Sequence, residues 1–413
     1  MLASVWRLSN AIQPYAWGSR TAIASLQGRP TPSAQPEAEL WMGAHPRAPS
    51  RLVDGRNTSL RDAIEARPEA LLGASVLRRG GPRLPLLLKV LAAAEPLSLQ
   101  AHPDARRARE GFEAEEAAGV DRDAPHRNFR DPYDKPELVC ALGPFTALCG
   151  FRPVSEVAVM VEALGVPGLR AVMAPLWDEP TASAMPSLVR ALLTAAEPGS
   201  LVEAVVDACA REAEAESSWR STWQWTVRLG RAYPGDPGVL VALLLNRVEL
   251  SAGQALFLGP GRLHCYLEGL AVEIMGASDN VLRGGLTRKH VDVPELLRVL
   301  HGGTEPIEIV RPRPVSPVES IYDAPTEAFR LSRLELAHDQ GHAQAVFGPE
   351  LLLCVSGQVR LHGGDAEPIE LPAGASAFVP ASQGSYRAEA SAPATLFRAT
   401  VGSRPDPHHL PPR

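Results

Sequence analysis

The pattern Leu-x-Ala-Gly-x-Ala/Ser-x-Phe-Leu/Val, closed by a proline, occurs twice in this chain. It appears as LSAGQALFLGPG from Leu250 and as LPAGASAFVPAS from Leu371. Each copy sets a glycine between two short apolar runs, with Phe257 and Phe378 at the same offset. Each therefore predicts two strands joined by a turn of the kind glycine adopts without strain. A unit used twice predicts two related antiparallel β modules, and no other feature of the chain restricts its fold as much. The copies differ in one respect. The first runs on through GRLHCYLEG to His264, whereas the same offset in the second gives Ser385. The C-terminal module is accordingly read as a structural partner without a metal.

Around these copies the texture changes. Residues 1–150 carry short apolar or alternating runs broken by Gly and Pro, which predict strands joined by turns. Residues 151–245 place apolar side chains at helical spacing, as in EVAVMVEALG and MPSLVRALLTAAE, and predict a helical insertion. Its Trp219, Trp223 and Trp225 read as helix-packing residues. The Pro-rich stretch 302–320 reads as a linker. The expected division is one β unit from 1–150 and 246–325, the helical insertion at 151–245, and a second β unit at 326–413.

With 413 residues, 45% hydrophobic and 21% charged, the chain has the profile of a globular protein of two or three domains. A net charge of −6 argues against nucleic acid or an anionic membrane as partner. The longest apolar run, VLVALLL (239–245), falls far short of the roughly 18 residues a spanning helix needs. No apolar signal core opens the sequence, which predicts a cytoplasmic protein, and no obligate protein partner is evident. The five scattered cysteines, Cys140, Cys149, Cys209, Cys265 and Cys354, read as reduced core thiols. His408 and His409, in a Pro-rich tail, read as solvated.

Of the 41 basic residues only Lys89, Lys135 and Lys289 are lysines. Where arginine serves almost every surface charge, a retained lysine suggests a place that needs a compact ammonium. Coding bias with three chance survivors would give the same count, so the test is what lies beside them.

Four stretches carry the chemistry. In PLSLQAHPD (96–104) a period of two puts Ser98, Gln100 and His102 on one face and Leu97, Leu99 and Ala101 on the other. In DPYDKPELV, Lys135 and Glu137 share a face across Pro136. LHCYLEG puts His264, Tyr266 and Glu268 on one face and Cys265 and Leu267 on the other. MGASDNVLRGGLTRKH gathers Asp279, Asn280, Arg283, Arg288 and Lys289 around a Gly-Gly turn. Two imidazoles, a carboxylate and an amide oxygen make a ligand set suited to zinc and, less exclusively, to other divalent first-row metals.

In order along the chain, IQPYAWGS (12–19), AELWMGAHP (38–46), LPLLLKVL (84–91), LSLQAHPD (97–104), DKPELVCAL (134–142) and GRLHCYLEGLAVEIMGASDNVLRGGLT (261–287), followed by Lys289, resemble the type I mannose-6-phosphate isomerases, a family of zinc-dependent cupin enzymes. The resemblance spans nearly the whole chain. It implies a mainly β fold with a helical insertion: two cupin-type antiparallel β jelly rolls plus an α-helical domain, the helical block lying over the mouth of the first barrel. It also implies one zinc ion (Zn2+) per chain, held by Gln100, His102, Glu137 and His264, with Arg283 as the catalytic arginine. Contacts to substrate or its phosphate fall on Ser98, Lys135, Tyr266, Glu273, Asp279 and Lys289. All three lysines lie in these motifs or just past their end. The sequence departs from the family at Asp134, where many relatives have His, at GGL in place of Ala-Gly-Leu, and at HCY in place of HAY.

The implied reaction interconverts mannose 6-phosphate and fructose 6-phosphate through a cis-enediolate, with the metal and Arg283 stabilising the enediolate oxygens. The phosphate dianion requires a cationic seat, for which Lys135, Lys289, Arg288 and the Ser98 hydroxyl are the candidates. Lys135, Glu273, Asp279, Tyr266 and a zinc-bound water all remain open as the proton-transfer base. Trp17 and Trp41 read as packing residues before sugar-stacking ones, and His45 and His126 are ambiguous. Three other readings share parts of the pattern. One is a zinc isomerase of another sugar such as free mannose. A second is a cupin oxygenase with two histidines and a carboxylate on Fe(II), which needs neither Gln100 nor a phosphate seat. The third is a non-catalytic sugar-phosphate sensor, in which decay should have removed a ligand or Arg283.

Overall fold

The computed structural model describes residues 5–178, 184–364 and 367–402; His408 and His409 lie outside them. The fold is mainly β and antiparallel, with its largest group of helices between Val154 and Ala242 and shorter helical stretches within 22–117 and at Val293–Val299. Two long strands, Glu137–Phe151 and His264–Gly276, run side by side and form the spine of the first barrel. Register shifts between Tyr266 and Glu268 and between Gly269 and Ala271 bend the pair. One half of Glu137–Phe151 then pairs with Ala255–Leu258 and the other half with Leu245–Leu250. Leu86–Ala93 flanks the spine on its far side and is followed outward by Glu39–Met42 and Ala11–Gln13.

Both copies of the repeated motif form a glycine turn between two strands, and neither is a hairpin. Leu245–Leu250 and Ala255–Leu258 are joined by a turn with Gly253 at φ 83°, and Ile369–Pro372 and Ser376–Val379 by one with Gly374 at φ 77°. In neither copy do the two strands pair with each other. In the second copy they go to different sheets, Ile369–Pro372 to a four-stranded one and Ser376–Val379 to an eight-stranded one. In its second copy the motif is thus a corner that carries the chain across a β sandwich, whereas in the first both strands pair along Glu137–Phe151 within one sheet.

Strand Leu86–Ala93 is buried along its whole length because it packs on both faces. Leu91 and Ala93 join Val139, Phe145, Leu256, Leu258 and Tyr266 inside the first barrel. Leu88 and Val90 face the other way, against Leu331, Leu351, Phe378 and Phe397 of the C-terminal module. This shared core explains why strands cross the expected boundaries. Trp6–Ser9 pairs with Ser376–Val379, and Glu319–Tyr322 pairs with Arg330–Leu336, so both belong to the C-terminal sheet. Leu8 and Tyr322 are buried in the core the two modules share. Nor is 302–320 a free linker, because Ile309–Val310 pairs with Ala255 and Leu256 and Arg313–Pro314 with strand Glu319–Tyr322.

The helices of the insertion run from Val154–Leu164 to Gly238–Ala242. Leu188, Val189, Trp223 and Leu240 share a core with Leu99, Leu263, Cys265 and Leu267 of the barrel, and Trp219 and Trp225 pack against it. The helical block is pinned to the barrel by Arg228, which donates to Glu268 Oε2 at 2.7 Å and to the Ala94 carbonyl at 3.1 Å. Tyr233 adds a hydrogen bond to the Pro96 carbonyl at 2.8 Å. All five cysteines are buried and free. Among the described residues no helix is long and apolar enough to cross a membrane.

Candidate active site

The alternation in PLSLQAHPD holds. Leu97, Leu99 and Ala101 are buried in apolar clusters, Ser98 and Gln100 are half-buried, and His102 is buried on the polar side. Gln100 lies directly across from His264 on one neighbouring strand and from Arg283 on the other. Residues directly opposite in an antiparallel ladder point to the same face, so His264, Gln100 and Arg283 form a row. Glu137 opens the adjacent long strand, and its carboxylate lies between the two imidazoles. Oε1 is 3.4 Å from His102 Nε2, and Oε2 is 3.4 Å from His264 Nε2. Ligand atoms of the three residues all fall within 4.8 Å of one another, and no other cluster of this kind occurs among the described residues.

Backbone carbonyls orient both rings. His102 Nδ1 is 2.9 Å from the Asn280 carbonyl and His264 Nδ1 2.9 Å from that of Arg262. A carbonyl only accepts, so the proton sits on Nδ1 and each Nε2 lone pair faces the carboxylate. His102 Nε2 is buried with no hydrogen-bond partner. Burial, resisted by Glu137, pushes the His102 pKa down to about 4, which keeps the ring neutral, as a ligand must be. An orphaned buried nitrogen, a second one opposite, a shared carboxylate and an adjacent amide fit a tetrahedral N2O2 metal site.

Deeper in the barrel Lys89 Nζ lies 3.0 Å from Glu273 Oε2 and 3.5 Å from Glu39 Oε1. Tyr266 donates to Glu273 Oε1 at 2.8 Å, and Trp41 Nε1 donates to Glu39 Oε2 at 2.7 Å. Lys135 Nζ is 3.1 Å from Glu137 Oε1. The buried carboxylates Glu39, Glu137 and Glu273 thus outnumber the ammoniums of Lys89 and Lys135, an imbalance that a divalent cation would reverse. Burial pushes the Glu273 pKa up and would lower that of Lys89, but the fields of Glu273 and Glu39 win there and raise it. Burial also opposes ionisation of Glu137, yet Lys135 and His102 hold it well below the usual range. Tyr266 is raised well above its ordinary value by burial and by Glu273, and so stays a neutral donor.

The rim is cationic. Asp279 is held by Arg47 at 2.6 Å and His45 at 3.3 Å, which overcome its burial and lower its pKa. Arg283 has a pKa lowered by burial and by Arg130. The exposed Lys289 is lowered by partial desolvation, then by Arg283, Arg47 and Arg130. Among the described residues no carboxylate offsets either of these two shifts.

One sequence reading of the site changes, and the packing reading of Trp17 and Trp41 holds. Glu268 leaves the His264–Tyr266 face, because the bulge after Tyr266 shifts the pleat by one residue, turning Glu268 to Arg228 and bringing Glu273 to Tyr266. Trp41 packs beneath His45 and Lys89, while Trp17 packs at the edge of the barrel core. Asp134 lines a cavity of about 260 Å³ with Arg83, Tyr133 and Gly276, outside the histidine–carboxylate cluster. Cys265 turns away from the site to the Leu97 carbonyl, 3.0 Å from its Sγ. Sequence reasoning did not assign Glu39, Arg47 or Arg130 to the site and left His45 undecided.

Fold and site together define a metal-binding cupin with a buried acid–base network and a cationic rim. Residues 5–154 match the catalytic domain of type I phosphomannose isomerase. The mannose-6-phosphate isomerase of Salmonella typhimurium is 40% identical over 385 residues, covering 91% of this chain and 95% of that protein. The human one is 32% identical over 410 residues, covering 92% and 94%. A solved structure of the Salmonella typhimurium protein bound to fructose 6-phosphate and zinc superposes with a TM-score of 0.88 at 38% identity, covering 97% of this chain and 100% of that one. A zinc-bound holo structure of mannose 6-phosphate isomerase also matches at TM-score 0.88 and 37% identity. The chain belongs to the type I mannose-6-phosphate isomerase family.

Proposed function

We infer that this protein interconverts mannose 6-phosphate and fructose 6-phosphate, with one zinc ion held by His102, Glu137, His264 and the Gln100 amide. The observation that carries the reading is the row His264–Gln100–Arg283 beside the orphaned His102 Nε2, in a chain of this family. Zinc would polarise the sugar oxygens and stabilise negative charge on them. The rest of the work belongs to the chain. Arg283, with no carboxylate offsetting its shift among the described residues, offers a fixed cation to the enediolate oxygens. Asp279, held ionised by Arg47 and His45, is too weak a base to draw a proton from C2. Both oxygens of Glu273 are engaged, by Tyr266 and Lys89, and Tyr266 is neutral. Of the two candidates still open, a zinc-bound water and Lys135 Nζ beside Glu137, we assign Lys135, acting as the free amine, to move the proton between C2 and C1. The half-buried Ser98 hydroxyl and the rim cations seat the rest of the sugar phosphate. The β modules act as one catalytic barrel braced by a second, and the helical insertion of 151–245 closes the barrel's side.

The test is a coupled assay of fructose 6-phosphate formed from mannose 6-phosphate, before and after chelation. Turnover lost on chelation and restored by zinc supports reaction and metal together. A zinc-loaded protein inert toward mannose 6-phosphate but active on free mannose would move the substrate, and inertness toward both would overturn the reading.

A further inference from the structure

The loop preceding Lys135 is laced to the Gly-Gly segment at three points. Asn128 Nδ2 donates to Asp292 Oδ2 at 2.8 Å, the rings of His126 and His290 meet edge to face at 6.4 Å, and the Arg130 amide donates to Asn280 Oδ1 at 2.7 Å. Asn280 is fully buried. Its Nδ2 donates to the carbonyls of Asp131 and Tyr133 at 2.7 and 2.9 Å, and its own carbonyl takes the His102 Nδ1 proton. One asparagine therefore sets the backbone at Arg130 relative to a metal ligand. The same loop orders Asp279, whose amide donates to Asp131 Oδ2 at 2.8 Å.

The Arg130 guanidinium is in an unusual position for so well-fixed a residue. Its ion-pair partner is Asp123 at the long distance of 3.9 Å, and the Asp123 side chain is 97% exposed, so water competes fully for that pair. The amide hydrogen bond to Asn280 and the Asn128–Asp292 tie bring the Arg130 loop against the segment that carries Arg283 and Lys289, and its positive field reaches both. A protein of net charge −6 that gathers Arg130, Arg283 and Lys289 from separate segments, against which the described residues set only the long, solvent-exposed pair to Asp123, has built a seat for an anion.

We propose that Arg130 is a substrate-binding residue that grips the phosphate of the sugar phosphate together with Lys289, leaving Arg283 free for the reacting end. This rests on the isomerase reading. A planar, permanently charged fork suits a phosphate oxygen pair, and its backbone is already fixed by Asn280, so little ordering is needed on binding.

Arg130→Gln and Arg130→Lys are assayed with mannose 6-phosphate, with inorganic phosphate as competing ligand and zinc content as control. In Arg130→Gln, KM for the sugar phosphate and the inhibition constant of phosphate should both rise about 10- to 100-fold. Its kcat should stay within about twofold, zinc content should be unchanged, and Arg130→Lys should recover part of the loss. Unchanged phosphate inhibition in Arg130→Gln would overturn the proposal, as would loss of zinc together with kcat. Asp123→Asn separates the roles: it should leave phosphate inhibition unchanged or tighter, whereas matching losses in both variants would make Arg130 a structural ion pair. If the unaltered enzyme fails to turn over mannose 6-phosphate, the isomerase reading fails instead, and calorimetric binding of inorganic phosphate still decides whether Arg130 holds the anion.

Discussion

Removing Lys89 exposes the electrostatic balance of the barrel most directly. In Lys89→Met the stem keeps its volume, so packing changes little. Glu39, Glu137 and Glu273 are then left with only the Lys135 ammonium among the buried cations. Deleting one partner of a buried pair costs about 3–5 kcal/mol. The loss must depend on pH. Burial already holds the Glu273 pKa above its usual value, and without Lys89 it moves further up. A carboxyl whose folded pKa exceeds its unfolded value of roughly 4.3 destabilises only once the unfolded chain ionises and the folded one does not. The deficit is therefore small near the unfolded pKa and grows with pH until the folded pKa is passed. Urea unfolding of metal-free wild type, Lys89→Met and Lys89→Met/Glu273→Gln, at pH 5.5 and pH 8, measures it. Lys89→Met should fall further below wild type at pH 8, and the added Glu273→Gln should restore about 2 kcal/mol there, since the two sites are coupled. A deficit below about 1 kcal/mol, or one equal at both pH values, would show that the carboxylates find solvent or another cation and that the balance drawn here is wrong.

Arg283→Ala should lower kcat about a hundred- to thousandfold with zinc content intact, and unchanged turnover would remove Arg283 from the reacting end. The two glycines after it should behave oppositely. A Cβ at Gly284 meets only ordinary contacts at 3.4–3.5 Å, so Gly284→Ala should be near neutral in thermal melts, as the family's usual Ala there implies. Gly285 has φ 113° and a Cβ there would lie 2.5 Å from the Gly238 Cα, so Gly285→Ala should unseat the helical block and cost several kcal/mol, about 2 or more. In the metal-free protein the His102 ring refuses a proton down to about pH 4 while the unfolded ring takes one below about 6.5. Stability should therefore fall as pH drops through that window, by about 3 kcal/mol in all, and a flat profile in calorimetric scans of the apoprotein would refute it.

How much of this was legible depended on whether a residue's role was written in its neighbours. Ser98, Gln100 and His102 could be read from period two alone, because their intervening partners are apolar and find apolar cores. Lys89 could be marked only as a surviving lysine. Its strand, LLLKVLAA, is buried on both faces, so no alternation told which side Lys89 would take. Glu273 and Glu268 exchange places through a bulge that one extra residue creates and no local pattern announces. The pairing of Trp6 with Phe378 depends on a core shared by the two ends of the chain, so boundaries drawn from local texture could not find it. Arg47 and Arg130 were invisible for the opposite reason to Lys89, since an arginine that binds looks like every other arginine in a chain that uses almost no lysine. What marks them is that among the described residues no carboxylate offsets the shifts of Arg283 and Lys289, a property of the folded neighbourhood and not of any stretch of sequence. The metal wall is local enough to be spelled out along the chain, whereas the proposed phosphate seat depends on the loops of 121–135 and 278–290 meeting, as they do where the Arg130 amide reaches Asn280.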